Sequence, residues 1–304
     1  MIKSVTVTNY LGESIKLELR FPEKSGFLVQ EISGLGPSKA NINSTELSNS
    51  DGSIYNSARV NSRNIVLTLK LLAKPTIEDI RQKSYKYFPL KKRIRLLIET
   101  DNRKCETYGY VESNEPNIFS NQETTQISII CPDPYFYSEG QFENTITIFS
   151  GIEPVFSFPF SNESLTVNLI EIGEIIPNQA KTVYYTGDAE IGIIIEIHAV
   201  GTATSISIYN TEAHELMTIN TDRLAILTGS GIIAGDDILI STVKGQKSIQ
   251  LLRDGVYTNI LNCLDRDVDW FQLVKGDNVF AFTAVTGATN LQFKIINQTV
   301  YEGV

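Results

Sequence analysis

Cysteine, histidine and tryptophan are scarce, at three, two and one in 304 residues. Cys105, Cys131 and Cys263 are too few and too scattered for a disulfide framework or a zinc site, so they are expected to be reduced packing residues. His198 and His214 each stand apart from Cys, Asp or Glu at ligand spacing, and no metal is assigned to them. Long apolar runs are missing as well. None approaches the roughly 20 residues that cross a bilayer, so no membrane insertion is expected. The opening MIKSVTVTNYLG lacks the apolar core and cleavage site of a signal peptide, so synthesis in a cytoplasm is the expectation. Absent too are a G-x-S-x-G elbow, a Walker loop, a G-x-G-x-x-G turn and an H-E-x-x-H helix, and with them any basis for naming a catalytic residue or a cofactor. Glu112 and Glu115 suggest a glycosidase pair only superficially. Proximity in sequence does not supply the separation across a cleft that such chemistry needs, and a solvated loop is the preferred reading.

Positive charge is lacking in one half only. Up to Asp133 the chain has 18 Lys and Arg against 15 Asp and Glu, a net of +3; the remainder has 8 against 20, a net of −12. Phosphate binding needs clustered cations, so no nucleic-acid partner is expected. The length suits two cores of ordinary domain size, and the asymmetry suggests that the halves differ in kind.

What is present is mostly strand. In Glu112 to Tyr137, the residues Thr125, Ile127, Ile129 and Cys131 alternate with Gln126, Ser128 and Ile130 and predict a strand with one strongly buried face. Pro132 and Pro134 stop it, and a domain boundary is placed there, giving domains 1–133 and 134–304. Ile15, Leu17, Leu19 and Phe21 alternate after the turn signals of Asn9 to Glu13, which predicts a hairpin. Residues 33–62 are polar, with Gly34, Gly36, Pro37 and the pair Asp51 and Gly52, and read as a long loop or a projecting hairpin. A projection of that size usually touches something. Ile65 to Leu72 returns to strand. Thr76 then caps one helix in which Ile77, Ile80, Ser84 and Tyr87 share a face, and Pro89 ends it. The next strand carries Ile94, Leu96 and Ile98 on one face.

The second half shows no helix. Its short strands, at Ile191 to Ile197, Ser205 to Tyr209, Ile238 to Thr242, Ser248 to Leu252, Trp270 to Val274, Val279 to Thr283 and Leu291 to Ile295, predict a β-sandwich or jelly roll. Asp254–Gly255 and Gly276–Asp277 are placed at tight hairpin turns. The fold class is therefore mainly β, with one α-helix in the first domain.

Five stretches, DGSIYNS (Asp51 to Ser57), RNIVLTLKLL (Arg63 to Leu72), YKYFPLKKRIRLLIETDNR (Tyr85 to Arg103), GYVESNEPNIFS (Gly109 to Ser120) and QISIICPDPYFY (Gln126 to Tyr137), carry a resemblance in their order and spacing. Together they resemble the distal tail protein (Dit) family of long-tailed non-contractile phages. A later pattern, Trp270, Leu273, Gly276, Asn278 and Phe280, fits the same family. The resemblance implies an N-terminal β-sandwich-like belt domain that closes a hexameric ring, and a C-terminal galectin-like sandwich pointing outward. It implies a virion tail-tip location, synthesis in the host bacterial cytoplasm, and as partners a tail tube protein, a tail-tip fibre protein and a receptor-binding protein. Enzymatic activity is not implied. Ring contacts need two different patches that meet. On that ground Asp51, Gly52 and Tyr55 of the projection, and the basic run Lys91, Lys92, Arg93 and Arg95, are the candidate assembly residues. The run has a plain alternative as the wet face of a strand. A second function from another class is a carbohydrate-binding module for the host wall, although aromatics such as Tyr184, Tyr185, Tyr209 and Tyr257 are scattered along the sequence and do not cluster into a sugar platform. Trp270 looks more like core.

Overall fold

The computed structural model describes residues 1–47, 51–73, 75–139, 145–153, 174–177 and 180–304. The chain divides into two units, one of Met1–Glu143 with Val300–Val304 and one of Asn144–Thr299. Gly140 to Asn144 and Pro154, which follow the boundary that sequence places at 133/134, lie outside the described residues.

The first unit begins with strands β1 (Ser4–Thr8) and β2 (Ser14–Glu18), an antiparallel hairpin that pairs Val7 with Ile15 and Val5 with Leu17. Its turn is held by Asn9, whose side-chain oxygen accepts from the amides of Leu11 and Glu13, both at 3.0 Å. Gly12 takes φ +82°, which other residues reach only with strain. There follow β3 (Phe27–Ser33), β4 (Ala40–Glu46), β5 (Ser53–Val60), β6 (Arg63–Leu71), helix α1 (Ile77–Tyr87), β7 (Arg93–Glu99), β8 (Lys104–Pro116), β9 (Thr124–Cys131) and β10 (Phe136–Ser138). One antiparallel sheet runs β2-β1-β7-β8-β9-β6-β3, with β10 against β8 and the C-terminal strand Val300–Tyr301 against β10. The alternation read from the sequence decides its inner face. Ile94, Leu96 and Ile98 on β7, Ile65, Leu67 and Leu69 on β6, and Ile127, Ile129 and Cys131 on β9 are all buried in one core. Helix α1 starts with a reciprocal capping box between Thr76 and Asp79 and buries Ile80 and Ser84. Cys105, Cys131 and Cys263 are buried and form no disulfide. Burial pushes the Cys131 thiol up to about 11, which leaves it protonated at neutral pH.

The second unit contains β11 (Thr145–Ile148), β12 (Ser150–Glu153), β13 (Glu174–Pro177), β14 (Ala180–Tyr185), β15 (Ile191–Gly192), β16 (Ile194–Ala199), β17 (Thr204–Asn210), β18 (Glu215–Ile219), helix α2 (Thr221–Thr228), β19 (Asp237–Ser241), β20 (Ser248–Arg253), β21 (Val256–Asn259), β22 (Gln272–Leu273), β23 (Gly276–Thr286) and β24 (Leu291–Asn297). A six-stranded sheet, β11-β24-β16-β19-β20-β21, and a four-stranded sheet, β14-β23-β17-β18, contribute to one core. Phe293 of the first stacks on Phe282 of the second with ring centroids 3.6 Å apart. The molecule is mainly β, and this unit is a β-sandwich.

Four expectations need correction. The second half does contain a helix: the Asn220 side chain caps α2 by accepting from Asp222 and Arg223, and Gly229 ends it at φ +85°. Asp254 and Gly255, at φ +52° and +78°, do make a two-residue hairpin turn, but Gly276 and Asp277 do not. They open β23, and the corner before them is organised by buried Asn278, which accepts from the Val274 amide and donates to the Val274 and Gly276 carbonyls. Glu112 and Glu115 lie on strand β8 and not in a loop; Glu112 accepts from Ser128 Oγ at 2.8 Å. The expected strand Trp270 to Val274 shortens to two residues.

Candidate functional site

Among the described residues, strands β4 and β5 pair only with each other, and every residue in both is exposed. The projection is therefore a hairpin. Its pairing jumps from Asn43↔Ser57 to Ser44↔Tyr55, so Asn56 is the extra residue of a bulge, and its side chain donates to Thr45 Oγ1 at 2.7 Å. Alternation along the register places Ala40, Ile42, Ser44, Glu46, Ser53, Tyr55, Ala58 and Val60 on one side, apolar toward its base, against Asn41, Asn43, Thr45, Ile54, Ser57 and Arg59 on the other. Ile42 and Tyr55 are 64% and 63% exposed. A two-stranded ribbon is marginal in water on its own, and an apolar side left open on it is a surface for something to cover. Asp51 and Gly52 sit beside residues 48–50, which lie outside the described residues, and Gly52 has φ +94°. The structure thus keeps Asp51, Gly52 and Tyr55 on one exposed element.

The four residues of the basic run have different surroundings. Lys91 stands in a turn at φ +62°, its amide donating to the Val111 carbonyl. The Lys92 ammonium lies 5.3 Å from the Tyr10 ring, and the Arg93 guanidinium 4.2 Å from the Tyr108 ring. Arg95 grips Glu106 through Nε at 2.7 Å and through a second nitrogen, and Glu106 is buried. Arg95 is therefore spent on a carboxylate of the fold, while Lys91 and Lys92 remain in water.

Sequence reasoning missed two features. Phe119, at the β8–β9 turn, is fully exposed. Arg63 is 3% exposed, and its guanidinium donates to the backbone carbonyls of Pro134 (2.8 Å), Gly34 (2.6 Å), Gly36 (2.5 Å) and Glu302 (2.6 Å), lying 4.2 Å from the Phe136 ring. Its signal was phase: Arg63 falls in step with Ile65, Leu67 and Leu69, the buried side of β6.

In the second unit, Tyr184 and Tyr209 are exposed on the four-stranded sheet and Tyr257 on the six-stranded one, whereas Tyr185 is buried. Trp270 is partly buried against the core, with the Lys247 ammonium 5.3 Å from its ring. His198 pairs across strands with Asp237 at 2.6 Å. Among the described residues, no three of His, Cys, Asp and Glu are placed to hold a metal.

No family model and no curated protein matches the sequence. Among solved structures, the chain is similar to the SPP1 Dit (gp 19.1) protein, described as a paradigm of hub adsorption apparatus in Gram-positive infecting phages. The TM-score is 0.65 at 13% identity, covering 97% of this chain and 98% of that one. It also matches chains of the phage P2 baseplate in its activated conformation, with Ca at TM-score 0.43 and 12% identity over 98% of both chains, and with Sr at TM-score 0.42 and 12% identity over 97% of both. At such identities the likeness to SPP1 Dit is one of fold.

Proposed function

We propose that this chain is a structural hub of a phage tail tip or baseplate, without enzymatic activity. In this reading it forms a closed ring, a homo-hexamer, that joins the tail tube protein to tail-tip fibre and receptor-binding proteins. The observation that carries it is a fold shared with SPP1 Dit over 97% of this chain, both units included. The hairpin supports the ring. A cyclic assembly brings two different patches of one chain together, and the open side of Ile42, Tyr55 and Val60 is an exposed patch in need of a cover. In this reading the ring-forming first unit hands over after Glu143 to an outward sandwich, and the net of −12 carried by residues 134–304 keeps a crowded assembly soluble and steers basic partners toward it.

A glycan-binding module is the second reading. Stacking on a sugar needs aromatic rings gathered on one platform, and Tyr257 lies on a different sheet from Tyr184 and Tyr209. The hub reading is tested on virions. Gold-labelled antibody against this chain is expected at the tail end distal to the capsid; labelling elsewhere, or none on tails in which the chain is detected, counts against it.

A further inference from the structure

The last five residues leave the second unit and return to the first, where they meet the root of the projecting hairpin. Val300 and Tyr301 pair with Tyr137 and Phe136, and Val300 is 2% exposed. The Val304 amide donates to the Leu35 carbonyl at 3.1 Å. Gly303 lies so close to the root that a Cβ there would stand 3.2 Å from the Leu35 oxygen and 3.3 Å from Pro37 Cδ. Arg103 lies 4.4 Å from the Tyr301 ring and donates to the Gly303 carbonyl. Arg63 ties these pieces together. Its four described acceptors come from the arm entering the hairpin (Gly34 and Gly36), from the segment after β9 (Pro134) and from the C-terminal segment (Glu302), and all four are backbone carbonyls. A buried cation held by carbonyl dipoles is stable only while all its partners stay in place, because each lost acceptor leaves a buried donor unpaired.

We propose that the C-terminal segment Val300–Val304 is a latch, and its docking site a peptide-binding groove, that together with Arg63 sets the direction of the β4–β5 hairpin. The hairpin ribbon is paired only with itself, so its ladder survives without the latch. What the latch fixes is the root, residues 34–37, and therefore where the ribbon points. The segment is short and extended, so the groove accepts the same sequence supplied as a separate peptide. On the ring reading above, on which this consequence alone rests, a chain becomes assembly-competent only once residues 300–304 are docked.

The test measures hairpin direction directly. Native cysteines are buried, so spin labels placed through Leu11→Cys and Asn43→Cys, both at exposed positions, report one distance between the sheet and the hairpin. Labelled chain is diluted into unlabelled chain so that only intrachain distances are read. A narrow distribution is expected in the full chain. It should broaden at least twofold both on deletion of residues 300–304 and in Arg63→Gln, and adding a synthetic TVYEGV peptide should narrow it again in the deleted chain only. Hydrogen exchange should rise at residues 33–39 while residues 93–99 stay protected. An unchanged distribution in both variants overturns the latch. Loss of protection throughout the first unit in both also overturns it, since the segment is then an ordinary core strand. Neither outcome depends on whether the chain forms rings.

Discussion

Replacing both Ile42 and Tyr55 by glutamate is expected to abolish assembly and leave the chain folded. Both side chains lie on the open apolar side of the hairpin, both are more than half exposed, and neither touches the core of the first unit. Surface changes of this kind typically move fold stability by no more than about 0.5 kcal/mol. In the proposed ring the same positions would be covered by a neighbouring copy. Placing a carboxylate there leaves a charge unpaired out of water, at about 2–5 kcal/mol per contact, and a ring repeats the loss at every interface. Sedimentation velocity should show only monomer for the variant at concentrations where the unaltered chain assembles, with matching melting curves. Assembly of the variant at unaltered strength would remove the hairpin from the interface.

Arg95→Ala has the opposite signature. Glu106 is 2% exposed, and Arg95 is the cation that grips its carboxylate. Removing one partner of such a pair strands the other. Arg95 keeps a third of its side chain in water, so the expected loss is about 2–4 kcal/mol, toward the lower end for a buried pair. For a unit of this size, that is on the order of 10 °C in melting temperature. Lys91→Ala and Lys92→Ala should change stability by less than about 0.5 kcal/mol. A thermal melt of the three variants separates the two kinds of basic residue. Equal, negligible shifts in all three would mean that Glu106 finds another partner and that Arg95 belongs with the exposed cations after all.

These contrasts show what the sequence carries and what it hides. Alternation of apolar residues placed β6, β7 and β9, because a strand with one buried face must repeat every two residues. The capping residues of α1 were equally plain. Helix α2 escaped because eight residues with only Thr221 and Leu224 buried make too short a period to stand out, although Asn220 and Gly229 marked its ends. The basic run looked uniform because sequence shows charge without its partner. Glu106 is eleven residues from Arg95 along the chain and reaches it only through the β7–β8 register, Leu97 opposite Glu106. Arg63 was hidden for a similar reason. Its acceptors are 29, 27, 71 and 239 residues away, and all are backbone atoms that no side-chain pattern reveals. The hairpin's place in the chain was legible, but its bulge and its apolar side were not, since both depend on the offset at Asn56.

The mass and shape of the purified protein test the proposed ring most directly. Native mass spectrometry over a rising concentration series, with negative-stain microscopy of the same samples, should show a species of six times 33.9 kDa and rings with an open centre. A single 33.9 kDa species at every concentration, with no rings on the grid even when the tail tube protein is added, would contradict the hub.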